Sequence, residues 1–279
     1  MSELHQYDTK RMNRLGRASR AEQVQVMRPS RFFTWHWSVP TFRQGQQWLL
    51  DNQAEIRRGQ YLSDTPGKEV WHLPIPDYLG GTDILHKSFI STPSFSENFG
   101  VRSPAVLEAA NFAALRRLEI PVPDVLACGE TRRWGRLTGG YIVTKFIPNT
   151  VDASILVPGK DWWERSQLRR GFSLKCMEHI GKAHACGCYH SAFHARKILI
   201  DKDSPEDNPQ LYWLDVSHCQ FKPKISMRKA IALDLVTLFI DLRPTTQEIK
   251  EYCEHYLKHN RCTSYTVDTL WEALIAASP

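Results

Sequence analysis

Two charged residues stand where apolar ones would be expected. Lys87 lies inside the strand-like run Ile84-Leu85-His86-Lys87-Ser88-Phe89, where an ammonium is costly unless it is paired. Glu108, 21 residues later, shares a helical stripe with Phe112 and Leu115 at i, i+4 and i+7, so its carboxylate is aimed with the apolar side. A strand lysine held by a helix glutamate is an arrangement that positions nucleotide phosphates. A surface pair unconnected with chemistry is the other reading of the same two residues.

A second set follows downstream. The segment from Ile180 to Ile200 reads as helix, turn and short apolar strand, and it carries His184, His190, His194 and Lys197. Leu211-Tyr212-Trp213-Leu214 then ends in Asp215, a lone carboxylate closing an apolar strand 25 residues after His190. Magnesium carried by a phosphate requires such a hard oxygen ligand, although Asp215 also reads as a simple cap before Ser217. His184 reads as a packed structural histidine. Asp234, between Ile231, Leu233, Leu235 and Val236, reads as a buried carboxylate that must accept hydrogen bonds, with an exposed position as the alternative. The histidine spacings of six and four do not make a zinc set, and the Cys186-x-Cys188 pair has no matching second pair. Gly80-Gly81 supplies flexibility and close backbone approach, as a phosphate-covering loop or as a bare hairpin connection.

The elements that must hold these residues can be read along the chain. Phe32, Phe33, Trp35, Trp37 and Val39 form an aromatic cluster that reads as packing, and Phe42 to Arg57 reads as one helix. Val70 to Leu73 and Ile84 to Phe89 read as a hairpin around Pro74, Pro76, Gly80 and Gly81. Ser103-Pro104 is a helix start, and Pro121 and Pro123 stop that helix after about Leu118. Strands are expected at Val125 to Cys128 and Tyr141 to Phe146, then mainly helix with a break near Leu199 to Phe221. Strands first and helices later make an α+β chain of two unequal lobes.

The order Lys87, Glu108-x-x-Asn111-Phe112-x-x-Leu115-x-x-Leu118-Glu119-Ile120-Pro121-Val122-Pro123, Tyr141-Ile142-Val143-Thr144-Lys145-Phe146, Tyr189-His190 and Trp213-Leu214-Asp215 resembles the lipopolysaccharide kinase (Kdo/WaaP, InaA-like) family. The resemblance runs from Tyr78 to Leu242. It implies a two-lobed protein-kinase-like fold, with a small, mainly β N-lobe and a mainly α C-lobe. It also implies ATP with magnesium as cofactors and, as acceptor, a heptose or Kdo hydroxyl of the lipopolysaccharide inner core, at the inner face of the bacterial inner membrane. By position, Lys87 would bind the α/β-phosphates and Glu108 would orient it. Asp215 would hold magnesium, Thr144, Lys145 and Phe146 would lie along the adenine at the hinge between lobes, and Asp152 would lie near the ribose. The expected domains are a basic arm over 1–31, an N-lobe over 32–147 and a C-lobe over 148–279.

The catalytic loop departs from the kinase pattern. His190 is followed by Ala192 where the loop Asp belongs and by Lys197 where its Asn belongs. Positioning and charge neutralisation outweigh the base in a loose phosphoryl-transfer transition state, so activity remains physically possible. Lys197 could replace part of a missing second ion's charge, and His194 could contact phosphate or the acceptor hydroxyl. The rival reading is a pseudokinase that binds nucleotide or glycolipid and acts as a scaffold or regulator of envelope biogenesis. Kinases of small aminoglycoside-like or choline-like substrates would be expected to keep the loop Asp.

Composition narrows the class further. The 279 residues are 42% hydrophobic and 24% charged, which is ordinary for a globular chain, and no apolar run approaches the roughly 20 residues of a membrane span. Seven scattered cysteines fit reduced thiols in the cytoplasm. From Lys10 to Arg31 seven basic residues face Glu22 alone, a surplus equal to the net charge of the whole chain, +6. That arm is either a solvated tail or a contact for anionic lipid. A monomer without nucleic-acid partners is expected.

Overall fold

In the computed structural model the described residues are 32–65, 67–90, 103–191, 193–221, 226–261 and 263–277. The basic arm, Ala192 and Cys262 lie outside them. The described residues divide into two compact units, one of 32–113 with Pro123–Pro148, the other of Ala114–Val122 with 149–277.

The first unit is built on a six-stranded sheet of β1 (Phe32–Ser38), β2 (Gln60–Thr65), β3 (Lys68–Pro74), β4 (Asp83–Ile90), β5 (Val125–Arg133) and β6 (Arg136–Lys145). The strand order is β1-β5-β6-β4-β3-β2, antiparallel at every step. The expected hairpin is therefore β3 and β4, but the sheet is wider than expected, because the aromatic cluster forms β1 and a largely polar segment forms β2. The expected single helix from Phe42 to Arg57 is two, α1 (Arg43–Asp51) and α2 (Gln53–Ile56). The break falls at Asn52, whose side-chain amide donates to the Trp48 carbonyl at 2.9 Å, the local competition with the helix ladder for which asparagine is known.

Residues of β4 alternate between the two faces of the sheet. Ile84 joins Leu73, Ala127 and Val143 in a core closed by Phe42, Leu49 and Ile56 from the α1 and α2 region. Lys87 is on the opposite face by parity, the side served by α3 (Pro104–Arg117). The Ser103 hydroxyl caps α3 by accepting from the Val106 amide at 3.1 Å.

The second unit carries a small antiparallel sheet of β7 (Thr150–Asp152), β8 (Ile198–Asp201) and β9 (Leu211–Trp213), with β8 in the centre. Four helices surround it in sequence: α4 (Ser166–Ala185), α5 (Met227–Leu242), α6 (Thr246–His259) and α7 (Val267–Ala277). On α4, Phe172, Cys176, Met177 and Ile180 are buried. Thr245 and Glu248 form a capping box at the start of α6. Among the described residues no helix is long and apolar enough to cross a membrane.

Candidate active site

In the sheet unit, Lys87 and Glu108 meet. The Lys87 Nζ donates to Glu108 Oε1 at 2.8 Å and to Oε2 at 2.7 Å. Their side chains are 12% and 3% exposed, so neither charge is served by bulk water. Removing one partner of such a pair leaves a buried charge uncompensated and costs about 3–5 kcal/mol. The helix carrying Glu108 comes close to the sheet because β6 has glycine at 140: a Cβ there would lie 3.1 Å from the Gly129 carbonyl and 3.2 Å from Ser103 Oγ.

Gly80 and Gly81 form the β3–β4 connection, with φ of +113° and +49°. A Cβ on Gly81 would lie 2.7 Å from Asp77 Oδ1, so the turn needs a residue without one. Thr144 is buried, and Lys145 and Phe146 follow it at the end of β6. The Lys145 amide donates to the Asp124 carbonyl at 2.8 Å and the Phe146 amide to the Asp83 carbonyl at 2.9 Å. Both donors are thus spent inside the unit. The Phe146 ring stacks on His72 at 4.1 Å.

In the helical unit, Asp215 follows β9 in a left-handed conformation, φ +51°, which aspartate tolerates better than most residues. It precedes a 3-10 turn without capping it through its side chain. Its Oδ2 lies 3.9 Å from Lys197 Nζ, and the Leu214 amide donates to the Lys197 carbonyl at 2.7 Å. A single accessible carboxylate suits magnesium, which binds through one or two carboxylates, water and the phosphates of its nucleotide.

The other loop residues divide into packing and chemistry. His190 is 2% exposed, and its ring lies edge-on to Phe193 at 5.2 Å and to Trp213 at 6.2 Å. Burial, with Lys197 adding to it, pushes its pKa down to about 4, so the ring is a neutral packing group at physiological pH. The His190 amide donates to Asp234 Oδ2 at 2.7 Å, and His184 Nε2 lies 3.2 Å from the same oxygen. Asp234 therefore ties α5 to the loop backbone, and His184 is structural. His194 points elsewhere: its Nδ1 lies 3.2 Å from Asp241 Oδ2, which also accepts from the Ala195 amide at 2.8 Å. Asp152 Oδ1 accepts from the Ser154 amide at 2.6 Å. Desolvation raises its carboxyl, with nearby Arg196 opposing and Asp241 reinforcing the shift.

Residues 91–256, more than half of the chain, match the model of the lipopolysaccharide kinase (Kdo/WaaP) family. The chain belongs to that family. The Kdo/WaaP match begins after Lys87 and takes in Glu108, the His190 to Lys197 loop and Asp215. A structure of WaaP in complex with acyl carrier protein is similar over 87% of this chain and 95% of that one, with a TM-score of 0.61 at 17% identity. The fold is accordingly shared with WaaP and is protein-kinase-like. A BubR1 kinase domain matches over 98% of this chain and 92% of its own, with a TM-score of 0.49 at 12% identity. No curated protein matches in sequence.

Two features were not visible in the sequence. Asp241 sits at the end of an apolar helix with no local anomaly, and its partners are 46 and 47 residues away. Gly67, φ +81°, lies at the β2–β3 connection, and β2 was not expected at all.

Proposed function

We propose that this chain is an ATP-dependent kinase that transfers phosphate to a heptose or Kdo hydroxyl of the lipopolysaccharide inner core. The observation that carries the reading is the buried Lys87–Glu108 pair, which holds an ammonium in a fixed place without any ligand to organise it. Lys87 binds the α/β-phosphates and Glu108 orients it. Thr144, Lys145 and Phe146 flank the adenine, and Asp152 accepts from the ribose. The Gly80-Gly81 connection keeps its backbone near the lysine strand. By strand order, Gly67, between β2 and β3 and so one strand ahead of the strand that carries Lys87, is a second candidate to cover the phosphates. Asp215 holds magnesium, whose chemistry there is to neutralise phosphate charge, and Lys197 adds a fixed cation beside it. His190 packs the loop in place.

The acceptor is an anionic glycolipid, and the arm from Lys10 to Arg31 brings the protein to the surface that carries it. A pseudokinase is the second reading, favoured by Ala192 at the base position and by Lys197 within 3.9 Å of Asp215, where a cation already partners the carboxylate.

The test combines transfer and binding. Purified protein with labelled ATP, magnesium and dephosphorylated lipopolysaccharide core should label the core, and Lys87→Ala should not. ATP should raise the melting temperature in a magnesium-dependent way, and Asp215→Ala should lose that shift. A shift without transfer selects the pseudokinase. An Asp215→Ala protein that keeps the full metal-dependent shift removes the basis for Asp215 as ligand.

A further inference from the structure

Ala192 leaves the catalytic loop without a carboxylate to take the acceptor proton, and two residues later the loop presents a histidine with a built partner. Asp241, on α5, reaches the loop through both carboxylate oxygens. Oδ2 accepts from the Ala195 amide at 2.8 Å, and the His194 Nδ1 lies 3.2 Å from Oδ2 and 3.4 Å from Oδ1. The side chains remain 31% and 23% exposed, so the ring is held yet open to a ligand. The backbone bond fixes where the carboxylate stands, and the carboxylate fixes which ring nitrogen carries the proton. An acceptor-only partner at Nδ1 requires Nδ1–H, which leaves the lone pair on Nε2. No hydrogen bond to Nε2 is formed among the described residues.

We propose that His194, through Nε2, is the general base of the phosphate transfer and that Asp241 is its positioning residue. This rests on the kinase reading above. The acceptor hydroxyl oxygen bonds to the γ-phosphorus of ATP as the bond from the γ-phosphorus to the β,γ-bridging oxygen breaks, and that oxygen leaves with ADP. The hydroxyl proton passes to Nε2, and the imidazolium so formed is stabilised by the Asp241 carboxylate before it releases the proton to water. Asp152, at the end of β7, is within electrostatic reach of Asp241 and of Arg196 on the loop. A histidine two positions past the usual aspartate thus supplies the missing function from a neighbouring turn of the same loop.

Asp241→Asn is the discriminating variant. Its side-chain carbonyl can still accept from Ala195, so the backbone tether survives, but its amide now donates to Nδ1 and moves the ring proton to Nε2. The expected result is a fall in kcat of about 100-fold with KM for ATP and acceptor nearly unchanged, and no further loss when His194→Ala is added. Nitrogen-15 NMR of the apo protein should show the His194 proton on Nδ1 in the wild type and on Nε2 in Asp241→Asn. His194→Lys separates a base from a phosphate-binding cation: it should be as inactive as His194→Ala. A His194→Lys protein near wild-type rate, an Asp241→Asn protein with unchanged kcat, or a wild-type ring protonated on Nε2 each overturns the proposal. A wild type that transfers no phosphate overturns the kinase reading and with it the base, while the tautomer measurement still reports whether the dyad exists.

Discussion

Three histidines occupy interior positions that cannot hold a charge. His86, His179 and His190 each have a pKa pushed from 6.5 to about 4, chiefly by burial. The folded value lies below the unfolded one, so between pH 6.5 and 4 the unfolded chain binds more protons and stability falls as pH falls. Each residue removes about 1.4 kcal/mol per pH unit in that window, so the three together remove about 4. Urea midpoints measured from pH 7.5 to 5 should be flat at the top and drop steeply below 6.5; a level profile down to pH 5 would refute the buried neutral state. At this scale the sequence was legible wherever a residue contradicted its neighbours. Lys87 and Glu108 were visible because charges stood in apolar patterns. The place of His190 in the loop was readable, but its packing was not, because its ring meets Phe193 of the same loop and Trp213 at the end of β9, 23 residues on. Asp241 contradicts nothing nearby and acts only through a contact with a distant loop.

Elements were legible where periodicity and punctuation agreed, as for α3 between Ser103 and the prolines at 121 and 123. They were not where one residue's side chain decided the matter, as Asn52 does in separating α1 from α2. Packing between elements can also reverse a local preference. Gly181 is in the middle of α4, where alanine would be better by about 1 kcal/mol on propensity alone. A Cβ there would lie 2.7 Å from the His259 Cβ and 2.9 Å from the Tyr256 carbonyl, both on α6. Neither is the mobile end of a side chain, so the two helices would have to separate. Gly181→Ala should therefore lower stability by about 1–3 kcal/mol, the usual cost of overpacking, and a gain in the denaturation midpoint would show that α6 yields easily.

At the scale of the whole chain, the net charge is concentrated in one stretch of sequence. With Lys10 to Arg31 set aside, the remaining acidic and basic residues balance. Removal of residues 1–31 should abolish co-sedimentation with anionic vesicles at low salt. Each basic residue near such a surface contributes about 1 kcal/mol at most, and added salt should weaken binding of the intact chain. Equal binding by the truncated chain would make the arm a solvated tail. The balance has another side, which concerns how copies of the protein avoid one another. Among the described residues strand β2 is an edge of the six-stranded sheet and exposes Tyr61 and Leu62, 44% and 45% accessible. A straight, apolar edge is a template on which a second copy can lay a strand. Between Tyr61 and Ser63 the pairing with β3 slips by one residue, so this edge is bent where it is most apolar. By that bend, the one-residue slip makes the edge a poorer template for a continuous intermolecular sheet.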